Sequence, residues 1–336
     1  IQCDEFGRAS QCRRKNTPNI PECAGTRRES PDPFIDDKNR KQETRNKKDF
    51  AAAMMYSLLA IVIWGSSFVA GKYSYTVADP VLTVQFRLVI AALIVAPAFV
   101  ESYRAVPVHL RRRLWLLAFM NFPLVYLLQF IGLNHTSAAS AATIIGAEPV
   151  LSTLIGYLFF KQRTHLLNWL SAVAAFAGIG LIVLGGERSG EVSLFGSLLS
   201  LGAGISFVFC LYLGRDIMQN ISARTYTVTT LVLGALFCLP FTFLLTQNWH
   251  ITPNPGGVFA LFYLAIACSW LAILLWNKGL RAIPASVSGI LIALEPVLGV
   301  LFAIVILGES PSSITACGML LTMAATAVCV WYGQRR

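Results

Sequence analysis

The sequence predicts an all-α membrane protein of ten transmembrane helices, built as two five-helix repeats of opposite orientation. Three observations predict it: a composition suited to lipid, ten apolar runs of spanning length, and an internal repeat at one fixed offset. Hydrophobic residues make up 55% of the 336 and charged residues 13%, with a mean hydropathy of +0.62. A water-soluble domain carries about 25% charge, so lipid is the solvent for most of this chain. The net charge of +10 does not point to nucleic acid, because the basic residues of a membrane protein collect in its cytoplasmic loops.

A polar stretch comes first. Residues 1–48 hold 12 Lys/Arg and 8 Asp/Glu, lack the apolar core of a signal peptide and show no periodicity. This basic tail is expected to be disordered, or not native to the working protein, with Met54 or Met55 as the natural start. The first repeat is then expected over 49–186 and the second over 192–334. Cys3, Cys12 and Cys23 lie in the tail at a spacing that fits no usual zinc pattern. The other five cysteines sit inside apolar runs, where a thiol behaves as a small hydrophobe. Neither a metal nor a cofactor is expected.

A helix needs about 20 mostly apolar residues to cross roughly 30 Å of hydrocarbon. Phe50–Gly71 provides the first such run, and Lys72 closes it. Pro80–Val100, Leu114–Leu133 and Thr136–Phe160 follow, the first interrupted by Arg87 and the last by Glu148. Leu166–Gly186 and Val192–Gly214 are uncharged. Thr225–Thr246, Gly257–Asn277, Ile283–Gly308 (interrupted by Glu295) and Ser310–Tyr332 complete the ten. Such long, uniformly apolar runs satisfy their backbones in lipid as helices and are unlike barrel strands. With the N-terminus inside, inner loops carry 12 Lys/Arg and outer loops only Lys72 and Arg188. Both termini are therefore expected in the cytoplasm, as in a bacterial-type inner membrane.

The repeat supplies the architecture. Gly132–Ala138 and Gly146-Ala147-Glu148-Pro149-Val150-Leu151 match Gly279–Ala285 and Ala293-Leu294-Glu295-Pro296-Val297-Leu298, both at an offset of 147. The offset also superimposes small-residue stripes, Ala138/Ala142/Gly146 on Ala285/Gly289/Ala293, whose spacing of four lets backbones approach closely. Five is odd, so successive five-helix units are inverted. Inverted repeats belong to secondary transporters, with a substrate path near the midplane at the repeat interface, although channels use them too.

Trp64-Gly65-Ser66-Ser67-Phe68, the twin Glu-Pro-Val elements and Leu307-Gly308-Glu309 together resemble the bacterial drug/metabolite transporter superfamily, specifically the EamA-type permeases. The resemblance spans residues 54–332. It implies a ten-helix basket around a central cavity, alternating access, and export of amino acids or other metabolites. One departure is visible: the first repeat has Lys161-Gln162 where the second has Gly308-Glu309.

Intramembrane charges are the first candidates for chemistry, since each costs roughly 2.5–3.5 kcal/mol at a helix centre on insertion scales. Glu148 and Glu295 are repeat-related, each followed by a helix-breaking proline, Pro149 or Pro296, which frees the carbonyl four residues back. Each glutamate lies about 200° around the helix from its small-residue stripe. They are expected either to line a cavity and change protonation or partner with a proton as coupling ion, or to tie helices together. Arg87 cannot shed its charge. It is read as an anchor for a substrate carboxylate or phosphate, as a permanent partner of Glu148 or Glu295, or as a snorkelling side chain. Trp64, Trp270 and Tyr126 are aromatic candidates within spans, with Trp64 and Trp270 deep enough to wall a cavity. Trp276 reads as an interfacial belt residue. Among Gln85, Asn121 and Gln129, ordinarily links between helices, Asn121 stands out for Pro123 two residues on.

No Walker loop, nucleophile elbow or His/Cys/Asp cluster points to an enzyme. The reading is therefore a secondary transporter of small metabolites, with a passive channel or lipid scramblase as the alternative and an intramembrane enzyme behind both.

Overall fold

The computed structural model describes residues 33–161, 165–189, 192–283, 288 and 291–333. The chain divides into two compact units, Ile1–Arg45 and Asn46–Arg336, and every apolar span lies in the second. Of the tail expected over 1–48, residues 1–32 with their three cysteines lie outside the described residues; from Pro33 the backbone is helical. Among the described residues there is no β-strand.

Among the described residues, nine helices are long and apolar enough to cross a membrane, so this is an integral, multi-pass membrane protein. In chain order they are α1 (Pro33–Ser74, apolar from Phe50), α2 (Pro80–Arg104), α3 (Val108–Asn134), α4 (Ala138–Phe160), α5 (Leu166–Gly186), α6 (Leu194–Ile217), α7 (Ala223–Leu245) and α8 (Pro255–Arg281). A shorter apolar helix, α9 (Glu295–Leu307), precedes α10 (Ser313–Trp331). Several helices outrun their uncharged cores: Lys72 lies in the last turn of α1 rather than closing it, and α3 and α8 take in Arg111–Arg113 and Lys278–Arg281. Long basic side chains at helix ends reach the interface, so they need not end a span.

Local chemistry sets the starts. Asp79, Ser137, Ser193, Ser222 and Asn254 each accept a backbone N–H at an N-terminus, and Pro80 and Pro255 occupy first-turn positions. Two helices end at residues of positive φ, Lys161 (52°) and Gly308 (69°), which the offset of 147 places in register.

The surface is apolar: Phe243, Leu244, Val305 and Leu93 are all largely exposed, as lipid-facing side chains are. α5 and α10 pack through small residues. A Cβ on Gly178 would lie 2.8 Å from Gly318 O, and one on Gly185 would lie 2.7 Å from Thr315 N. Loops and helix ends bond to one another at two ends. At one, Ser193 N donates to His135 O (3.0 Å), Thr252 N to Val77 O (2.9 Å) and Ser312 Oγ to Gly185 O (3.4 Å). At the other, Arg113 pairs with Asp216 (3.1 Å) and Arg215 donates to Ile283 O (3.3 Å).

Candidate functional site

Two broken helices create the site. α4 is interrupted at Gly146-Ala147, splitting into Ala138–Ile145 and Glu148–Phe160. Pro149 thereby falls in the first turn of the second half, where its missing N–H costs nothing. α9 begins the same way, with a turn at 293–294 and Pro296 in its first turn. At 13 residues it is about 20 Å long, too short to span alone. Of the segment ahead of it, including the stripe residues Ala285 and Gly289, positions 284–287 and 289–290 lie outside the described residues.

The breaks face each other. A Cβ on Gly146 would overlap the Pro296 ring, and one on Gly299 would overlap Ala142 Cβ. The first small-residue stripe therefore packs on the second Glu-Pro-Val element. Glu148 and Glu295, both buried, turn into one cavity holding about 830 Å³ of unfilled space, its mouth included. Of the sequence candidates, Trp64, Arg87, Asn121, Tyr126, Glu148 and Glu295 line it.

Arg87, on α2, is only 2% exposed. Its Nε donates to Ser269 Oγ at 2.8 Å, and Ser269 Oγ donates to Leu264 O at 2.9 Å. The guanidinium carbon sits 4.2 Å from the Tyr126 ring centroid and 4.7 Å from that of Phe130. Such desolvated cation–π contacts are worth about 2 kcal/mol. Among the described residues no carboxylate lies within ion-pair distance of Arg87. It is thus neither paired with Glu148 or Glu295 nor snorkelling to a headgroup.

Trp64 Nε1 donates to Cys268 O at 3.1 Å, and the ring packs against Phe207 (6.0 Å, edge-on) and Trp276 (5.6 Å). Two expectations are corrected here. Trp270 does not line the cavity; it is half-buried on α8 against the core shared with α2 and α3. Trp276 is not a belt residue: it is 2% exposed and lines the cavity. α8 runs on to Arg281, so Trp276 sits more than a turn from the helix end and faces inward. Gln129 lines the cavity beside Asn121, whereas Gln85 links helices through Thr242 (2.9 Å).

Sequence reasoning did not place Gln129, Phe207, Tyr226, Trp276 or Asn277 on the cavity, although Gln129 and Trp276 were singled out for other roles. The repeat held part of the signal, since the offset of 147 places Trp276 on Gln129 and Ile273 on Tyr126, and all four line the cavity. It also brings the π-helical segment of α3 (Met120–Leu124) onto that of α8 (Leu264–Leu271). Such segments free backbone carbonyls and recur at functional sites; here the freed Leu264 and Cys268 carbonyls hold Ser269 and Trp64.

Among the described residues, two polar atoms on the lining have no hydrogen-bond partner, Glu148 Oε2 and Trp276 Nε1. The cavity runs from Arg87 and the glutamates toward Gly214, Met218 and Leu280, at the end bearing Arg113 and Arg215. It stops short of the opposite end. There a Cβ on Gly71 would lie 2.7 Å from Leu133 Cδ2, and Tyr75 Oη donates to Phe130 O at 2.7 Å.

Comparison with known proteins agrees with this architecture. An "Uncharacterized transporter" of Haemophilus influenzae is 48% identical over 141 residues, 41% of this chain and 83% of that protein. One from Archaeoglobus fulgidus is 29% identical over 79% of this chain and 93% of its own length. A "Probable amino-acid metabolite efflux pump" of Salmonella typhimurium is 26% identical over 82% of this chain and 93% of its own. One solved crystal structure, 17% identical, matches in fold with a TM-score of 0.60 over 85% of this chain and 98% of that one. The EamA-like transporter family matches twice, over residues 51–184 and 194–331, and the chain belongs to that family.

Proposed function

We propose that this protein is a secondary transporter that exports small amino-acid-like metabolites by alternating access. It has ten transmembrane helices in two inverted repeats, and both termini lie in the cytoplasm. One observation carries the reading. A single cavity at the contact of the two broken helices holds a buried, carboxylate-free Arg87, two buried carboxylates, and an orphaned acceptor and donor. Buried polar atoms without partners are costly and call for a ligand that completes them. A carboxylate on Arg87 and an ammonium near Glu148 or Glu295 would do so, with Trp64, Trp276, Tyr126 and Phe207 walling an apolar side chain. Glu148 and Glu295 are also the groups through which protons would couple to transport. The cavity's reach toward the arginine-rich end, and its closure at the other, support loading from the cytoplasm. The name of the Salmonella relative points the same way.

Inside-out vesicles containing the protein test it. Radiolabelled uptake is measured for each of the twenty amino acids across an imposed proton gradient. At least one should show saturable, gradient-dependent uptake and counterflow. Non-saturating flux that ignores the gradient would replace the carrier with a channel.

A further inference from the structure

We propose that Glu309 is a clasp that holds the shut end of the protein closed and that must release α4 before the cavity can open there. This rests on the alternating-access reading. The Glu309 carboxylate accepts from two backbone amides at the start of α4, with Oε1 taking Ala138 N–H (2.8 Å) and Oε2 taking Ala139 N–H (2.9 Å). The first amides of a helix have no partner within it. An anion there also meets the positive end of the helix dipole, and charge-assisted bonds are the stronger kind. The chain is turned to make the contact: Gly308 adopts a φ of 69°, open to glycine without steric cost, and Glu309 N bonds back to Ala303 O at 3.3 Å.

A third element joins from α1. Lys72 Nζ donates to Thr136 O at 2.6 Å, just ahead of the clasped amides, and feels the charge of Glu309 without forming an ion pair with it. The clasp therefore draws together the end of α1, the start of α4 and the α9–α10 turn. This is the end where Gly71, Tyr75, Phe130 and Leu133 close over the cavity. The clasped half of α4, Ala138–Ile145, leads through the break to Glu148. One broken helix thus joins the clasp to a carboxylate of the cavity, and moving either end displaces the other.

The sequence puts the carboxylate on one side only. Lys161 and Gly308 are repeat-related residues of positive φ, yet the next position is Gln162 in the first repeat and Glu309 in the second. A neutral amide lacks the charge that strengthens the contact. The asymmetry biases the protein toward the state shut at the Glu309 end.

Accessibility reports this without knowledge of the substrate. In full-length protein with its native cysteines replaced by alanine, Gln129→Cys places a thiol in the cavity, and a separate Ser310→Cys marks the side on which the clasp loop emerges. A membrane-impermeant maleimide is applied from each side in turn. With Glu309 present, Gln129→Cys should react slowly from the Ser310 side. Adding Glu309→Ala should raise that rate about tenfold or more, as expected from losing hydrogen bonds to a charged group, and lower the rate from the opposite side. Glu309→Gln keeps the side-chain volume and one acceptor oxygen, so it should fold even if Glu309→Ala does not, and it should show a smaller rise. Equal rates with and without Glu309, for both variants, would overturn the clasp while leaving alternating access intact. Rapid labelling from both sides with Glu309 present would overturn the clasp and the carrier reading together.

Discussion

Arg87 defines the residue-scale problem. A guanidinium that cannot lose its proton is held between two aromatic rings and a serine, with no carboxylate beside it among the described residues. Lysine in its place would keep the charge but lose both the planar fork and the stacking. Arg87→Lys should therefore raise the KM for a transported amino acid about tenfold, with a smaller change in maximal rate, as vesicle uptake would register. The glutamates make a separate prediction. Glu148→Gln and Glu295→Gln preserve shape and hydrogen-bonding reach but remove titration. Both should insert and fold near-normally, and at least one should lose most transport or its dependence on pH between about 5.5 and 8. Wild-type rates across that range in both single variants and the double variant would make the glutamates structural. A lowered unfolding midpoint with unchanged transport would say the same.

At the scale of elements, the contact between α4 and α9 decides whether the glutamates share a site. Gly146 has no room for a side chain because the Pro296 ring occupies it, whereas a Cβ on Gly180 in α5 meets nothing within 4 Å. Gly146→Ala should therefore destabilise the protein by about 1–3 kcal/mol through overpacking. Gly180→Ala should be neutral or slightly stabilising, because alanine is the better helix former. Thermal unfolding of the two variants in one detergent separates these outcomes, and equal midpoints would contradict the packing described. The π-helical segments of α3 and α8 matter at this scale too. The carbonyls freed in α8 orient Trp64 directly and Arg87 through Ser269, so the segment serves the cavity rather than the helix.

For the molecule as a whole, the proposed direction of export rests on the distribution of charge along the chain. The proposed orientation, which rests on the bias of basic residues toward one side, would place Arg111–Arg113, Arg215 and Arg281 in the cytoplasm. It would also make the cavity's open end the cytoplasmic one. A reporter fused after Gly333 should be active only if it functions in the cytoplasm, and Ser189→Cys should be labelled from outside. Labelling of Ser189→Cys only after permeabilisation would reverse both the orientation and the proposed direction of export.

Composition and periodicity were enough for the membrane class, nine of the ten expected spans and the repeat, because burying some twenty residues in hydrocarbon leaves an unmistakable run of apolar side chains. The Glu-Pro pairs were equally legible, since a charge and a helix breaker inside such a run contradict their surroundings. Which aromatic residues reach the cavity was not legible. Trp270 and Trp276 sit six positions apart in one apolar helix, and the π-helical segment Leu264–Leu271, which contains Trp270, changes the angular register that an ideal helix would give. Nor could one-dimensional spacing reveal that Gly146 meets Pro296, or that Glu309 reaches back 171 residues to Ala138. Both contacts join the two repeats, and the sequence of either repeat records only its own periodicity. Folding brought those distant surfaces together, and with them the cavity that both glutamates share and the contact proposed to close one of its ends.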